Sequence, residues 1–295
     1  MKNTDNSNGR TPSAETYFQK GNEYYNEEDY QSAISNFNEA IRLNPNKVYA
    51  YINRGLAKGK LGHFEDAISD FDEAIRLNPN NAHAYSNRGL AKNILKQYPE
   101  AIKDLDEAIR LDPNDADVYH NRGVTKGELG YFESAILDFD KAIRLDPGAA
   151  DTYYNRGVAK GEAGQLFEAI SDYDNTLRLE PNNANAYRNR GIAKGELGYP
   201  KDAILDLNKA IDINPNNASA YYNRGVAKIE LKQYLEAIKD FDETIRLKPV
   251  AAAYANRGIA KKMLGRTKDG QQDLQTALNL EPKEELRAEI LKELR

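Results

Sequence analysis

The phrase Asn-Arg-Gly recurs at a fixed interval, and that interval limits what the chain can fold into. It begins at Asn53, Asn87, Asn121, Asn155, Asn189 and Asn223, each 34 residues after the last, and again at Asn256 after a step of 33. Prolines keep the same beat: Pro45, Pro79, Pro113, Pro147, Pro181, Pro215, Pro249 and Pro282. A period of this length marks an array in which each copy is one supersecondary element stacked on its neighbours. Extended backward, the register finds a divergent first copy at Gln19-Lys20-Gly21. Eight units result, at 14–47, 48–81, 82–115, 116–149, 150–183, 184–217, 218–250 and 251–284.

Each unit reads as two helices. Val48 to Leu61 forms one periodic segment, and Gly62-His63 breaks it. Phe64, Ala67, Ile68, Phe71, Ala74, Ile75 and Leu77 then follow at steps of three and four, which draws one apolar stripe along a second helix. Asn78-Pro79-Asn80-Asn81 ends it, because proline lacks the amide and clashes with continued helix. Pro99 and Pro200 fall near the first turn of a second helix, where proline is tolerated. A single helical pair cannot bury both of its apolar faces, so neighbours bury them for one another. Loss of one buried aromatic, Phe71 for instance, should cost about 3–5 kcal/mol.

The ends depart from the pattern. Unit eight has Thr267 where an aromatic or leucine is usual and Gly270 in place of alanine. Beyond Pro282 the chain is charged, with Leu286, Ile290, Leu291 and Leu294 at helical spacing, and 285–295 reads as a capping helix. Residues 1–13 are polar and read as disordered.

With Tyr51, Gly55, Ala67, Phe71, Ala74 and Pro79 at fixed offsets, the unit resembles the tetratricopeptide repeat. Arg54 stands where that family usually has leucine before the glycine, and Lys58 where it has a later tyrosine. The resemblance implies an all-α, right-handed superhelical solenoid of eight helix-turn-helix repeats plus the C-terminal cap, with a concave surface made by the first helices. It also implies a protein-binding scaffold rather than an enzyme.

The recurring asparagines invite a reason, since asparagine is a poor helix former and these fall mid-helix. A carboxamide donates and accepts, so one per unit can pair with a peptide backbone with little regard for its sequence. The series Asn53, Asn87, Asn121, Asn155, Asn189, Asn223 and Asn256 is similar to the asparagine ladder of the O-linked N-acetylglucosamine transferase repeat domain. That resemblance implies a backbone grip. The opposing account is that duplication copied the asparagines, which then bond neighbouring helices. The residue before each asparagine drifts freely, and His120, Tyr154, Arg188 and Tyr222 are the candidates for reading ligand side chains.

The arginine of the phrase has a structural account. Arg54 and Lys58 are four apart, and each second helix carries an acid: Asp70, Asp104, Asp138, Asp172, Asp206, Asp240 or Asp273. In the first unit both partners change together, to Lys20 and Asn36, which favours an Arg–Asp bridge within each pair over a basic stripe for acidic ligands. The cation pattern that clamps chaperone tail carboxylates in one subclass of these repeats is not met, because Asp117 with Asn121 and Asp151 with Asn155 stand where lysine and arginine are needed.

Other function classes find little support. A net charge of −5 argues against nucleic acid as partner. No stretch approaches the apolar length of a membrane span. The start lacks the apolar core of a signal peptide, and the absence of cysteine suits a reducing compartment, so a cytoplasmic location is the expectation. Only His63, His83 and His120 are available as histidine ligands, and no cofactor or metal is expected. The sequence therefore points to a scaffold holding an extended peptide or helix of a partner protein. The alternatives are a self-assembling array, as dimer or filament, and the regulatory part of a larger enzyme.

Overall fold

The computed structural model describes residues 12–294. Most of the segment expected to be disordered, residues 1–11, lies outside that range, as does Arg295 of the expected cap. Among the described residues there are seventeen helices and no strand. The chain divides after Pro147 into two compact units. The first holds four helical pairs: α1 (Ala14–Asn26) with α2 (Tyr30–Leu43), α3 (Val48–Lys60) with α4 (Phe64–Leu77), α5 (Ala82–Ile94) with α6 (Tyr98–Leu111), and α7 (Ala116–Glu128) with α8 (Phe132–Leu145). The second opens with α9 (Ala150–Glu162), α10 (Leu166–Leu179), α11 (Ala184–Glu196) and α12 (Pro200–Ile213). It continues through α13 (Ala218–Glu230), α14 (Tyr234–Leu247), α15 (Ala251–Met263), α16 (Thr267–Asn279) and α17 (Glu284–Leu294).

Local chemistry sets the helix ends. Asn78 Oδ1 accepts from the Asn80 amide at 3.1 Å, a turn that Pro79 then locks. Asn81 Oδ1 accepts from the Ala84 amide at 3.0 Å and caps α5. Asn183 and Asn217 cap α11 and α13 in the same way. Within a pair, the chain reverses through one residue at positive φ: Gly62 at 82° after α3, and Gly198 at 80° after α11. Lys96 and Lys232 adopt φ of 59° at the equivalent turns without being glycine. The one-residue deletion leaves only Lys248, Pro249 and Val250 between α14 and α15, and Val250 precedes α15 without a side-chain cap.

Each second helix packs against its own first helix and against the next first helix in its unit. Around α4, Ala67, Phe71 and Ala74 meet Tyr51 of α3 and Ala84 and Ala91 of α5. Such a core is a chain of small shared contacts, each burying two neighbours. The last pair differs. A Cβ on Gly270 would lie 2.6 Å from the Gly258 carbonyl oxygen, so the departure from alanine lets the backbones of α15 and α16 approach more closely than a side chain would permit. Finally, α17 covers Ala255, Leu274 and Ala277 with Ile290, which is 1% exposed.

Candidate functional site

The arginines hold each pair together. Arg190 presents Nε and Nη2 to the two oxygens of Asp206, at 2.9 and 2.5 Å. Its Nη1 reaches Asp174 on the preceding second helix at 2.5 Å. Lys194 Nζ shares Asp206 at 2.7 Å, and the guanidinium lies 5.4 Å from the Tyr187 ring centroid. The expected Arg–Asp bridge is thus one part of a four-membered set, repeated with Arg88, Asp104, Lys92 and Asp72 in the first compact unit. These cations are committed to structure.

The asparagines sit at the sixth position of their helices and are all half-buried. Their carboxamides are used differently. Asn53 donates to Asn22 Oδ1 at 2.7 Å, joining α3 to α1. Asn189 donates to the Tyr154 hydroxyl at 3.1 Å and accepts from Arg188 Nε at 3.1 Å. Asn256 donates to the Tyr222 hydroxyl at 3.0 Å. Asn223 turns back to the Ser219 carbonyl of its own helix at 2.7 Å. Among the described residues, Asn87, Asn121 and Asn155 have no side-chain hydrogen bond.

The residues expected to read ligand side chains lie close to the core. The His120 ring sits 5.8 Å from that of Phe139, Tyr154 sits 6.1 Å from Tyr173, and Tyr222 sits 5.9 Å from Phe241. Burial pushes the Tyr222 hydroxyl above its ordinary pKa, against the lowering effect of the Asn256 hydrogen bond. Tyr154 and Tyr222 are therefore partners of ladder asparagines as well as neighbours of core rings.

Pockets open between consecutive first helices, each with a ladder asparagine in its wall. One of about 330 Å³ is lined by Leu56, Gly59, Asn87, Leu90 and Ile94 over Phe71. Another, of about 290 Å³, is lined by Gly161, Glu162, Asn189 and Glu196 over Tyr173. A smaller one of about 130 Å³ has Gly195, Glu196, Asn223 and Glu230. Asn53 walls a fourth with Asn22, Tyr25 and Asn26. Sequence reasoning missed the second glycine that four of the first helices carry, at Gly59, Gly127, Gly161 and Gly195. A Cβ on Gly55 would lie 2.7 Å from Phe71 Cε1, whereas one on Gly59 would meet nothing within 4 Å. Gly55 permits packing and Gly59 leaves space in the pocket. The signal was a glycine pair four apart in which only one member is needed for helix contact.

Family models described as "Tetratricopeptide repeat" match residues 53–116, 116–148 and 218–250, and one described as "TPR repeat" matches 21–62 and 201–231. The chain belongs to the tetratricopeptide-repeat family. Proteins built of tetratricopeptide repeats mediate protein–protein interactions. Human (Homo sapiens) small glutamine-rich tetratricopeptide repeat-containing protein beta is 42% identical over 45 residues, 15% of this chain and 15% of that protein. Hsp70-Hsp90 organizing protein 3 of Arabidopsis thaliana is 45% identical over 49 residues, 17% of this chain and 9% of that protein. The chain therefore matches only a small part of these curated relatives. Among solved structures, YrrB, described as a TPR protein with an unusual peptide-binding site, superposes with a TM-score of 0.55 at 26% identity. That match covers 62% of this tetratricopeptide-repeat chain and 95% of YrrB. No helix among the described residues is long and apolar enough to cross a membrane.

Proposed function

We propose that this chain is a non-catalytic scaffold that binds a segment of a partner protein along its first helices. The observation that carries the reading is the recurrence of pockets between first helices, each walled by a ladder asparagine at Asn53, Asn87, Asn189 or Asn223. Asn87, Asn121 and Asn155 are the side chains best placed to grip a ligand backbone, because no partner in the described chain occupies them. Asn189 and Asn256 would have to exchange a tyrosine hydroxyl for a peptide group. The peptide-binding site named for YrrB belongs to that protein and lends the reading support by analogy.

Affinity capture of partners on the wild type and on Asn87→Ala/Asn121→Ala/Asn155→Ala tests the reading, with circular dichroism confirming equal folding. Partners lost on the variant place binding at the asparagines. Partners retained in equal amount move binding to another face. A mass that rises with concentration for the isolated chain would favour the self-assembling alternative.

A further inference from the structure

The pockets of the two compact units differ in charge. In the first unit, α3 and α5 end in Lys60 and Ile94, and the pocket between them is walled by Leu56, Leu90 and Ile94; of its first helices α7 alone ends in glutamate, at Glu128, whose carboxylate accepts from the Tyr98 hydroxyl at 3.4 Å. In the second, α9, α11 and α13 all end in glutamate, at Glu162, Glu196 and Glu230. Glu162 and Glu196 line one pocket, and Glu196 and Glu230 line the next. All three are exposed, and none forms an ion pair among the described residues.

Two facts make this more than a solvated face. The lysines two residues before each glutamate are withdrawn into structural bridges: Lys160 with Asp172 at 2.8 Å, Lys194 with Asp206 at 2.7 Å and Lys228 with Asp240 at 2.7 Å. A carboxylate on the last residue of a helix also faces the negative end of the helix dipole, so the placement disfavours folding at these three glutamates as it does at Glu128. Arg188 shares α11 with Glu196, but its Nε lies on Asn189 Oδ1 at 3.1 Å. Glu289 of α17 adds negative potential near Tyr222.

Resting on the binding reading above, we propose that the pockets of the second unit select an extended basic segment whose lysine or arginine side chains reach Glu162, Glu196 and Glu230. Neighbouring packed helices lie about 10 Å apart. An extended chain rises about 3.3 Å per residue, so successive glutamates face every third ligand residue. Asn189 and Asn223, in the same pockets, hold the backbone between them.

The test is selection of 12-residue random peptides displayed on phage against the full chain, followed by fluorescence anisotropy with the synthesised winners. The selected peptides are expected to carry lysine or arginine at three-residue spacing. Glu162→Gln/Glu196→Gln/Glu230→Gln should bind them at least tenfold more weakly and melt no lower than the wild type. The matched control Glu168→Gln/Asp202→Asn/Glu236→Gln, which neutralises exposed second-helix acids, should retain affinity. Winners without cationic residues, or equal loss in the control, would overturn the charge selection. If such neutral winners are released by Asn189→Ala/Asn223→Ala, the groove reading survives without it. A library that yields no binding peptide overturns both.

Discussion

Gly123 and Gly127 lie four residues apart on α7 and answer to different constraints. A Cβ on Gly123 would fall 2.7 Å from Cε1 of Phe139, whose ring is 2% exposed and cannot retreat into solvent. A Cβ on Gly127 would meet nothing within 4 Å. Gly123→Ala is therefore expected to cost about 1–3 kcal/mol through overpacking. Gly127→Ala should raise stability by about 0.5–1 kcal/mol by removing unfolded-chain freedom. Urea midpoints of the two variants check the opposite signs. Lys232 carries strain of another kind, since its φ of 59° suits glycine. Lys232→Gly should stabilise by about 1 kcal/mol, readable as a higher melting temperature, whereas a loss would mean that the side chain contributes a contact at the turn.

At the scale of the helical pair, the arginine set decides which charges matter. Arg190 meets one carboxylate inside and one outside: the Asp206 side chain is 7% exposed and that of Asp174 is 57% exposed. Removing Asp206 leaves both Arg190 and Lys194 without their anion, and Asp206→Ala is expected to cost about 3–5 kcal/mol. Asp174→Ala should cost less than about 1 kcal/mol, because water replaces an exposed partner. Denaturant unfolding of both variants against wild type tests the contrast, and equal costs would refute it. The set at Asp273 makes stability pH-dependent. Burial alone would push Asp273 up, but hydrogen bonds and charge from Arg257 and Lys261 outweigh it and hold the carboxyl below its usual range. A carboxylate depressed on folding contributes stability above its unfolded pKa of about 4 and loses it as pH falls through the folded value. Thermal melts should be flat from neutral pH to about 5 and fall below about 4, with a shallower fall in Asp273→Asn.

At the scale of the whole array, stability adds up from each pair and its interfaces with neighbours, so damage stays local until the stack parts. Helix α17 closes the second unit by placing Ile290, Leu286 and Leu294 against α15 and α16. Deleting residues 283–295 uncovers Ala255, Leu274 and Ala277. Hydrogen exchange should then quicken in α15 and α16 and stay unchanged in α1 to α4. Self-association is also expected, because an uncovered apolar end is a docking surface. Uniform loss of protection along the chain would instead mean that the array unfolds as one cooperative block.

Much of this was legible in the amino-acid sequence because it is local or periodic. The 34-residue beat specifies the pairs, the proline turns stop the second helices, and the joint change to Lys20 and Asn36 marks the Arg–Asp bridge. The uses of the ladder were not legible. Whether an asparagine is free, like Asn87, or held, like Asn189 by Tyr154, depends on a residue 35 positions away on another helix. The third and fourth units show the same limit. Asn93 of the third stands where units two, four, five and six carry glycine, and Thr125 of the fourth where units two, three and five to eight carry alanine, two departures with no meaning along the chain. The fold puts them together, with Asn93 Nδ2 donating to Thr125 Oγ1 at 2.7 Å across α5 and α7. The sequence by itself determined the repeating unit, because helix periodicity, breakers and capping are properties of neighbouring residues. The tertiary structure decided which polar groups remain for a partner, because hydrogen-bond satisfaction is settled only when separate helices are brought side by side.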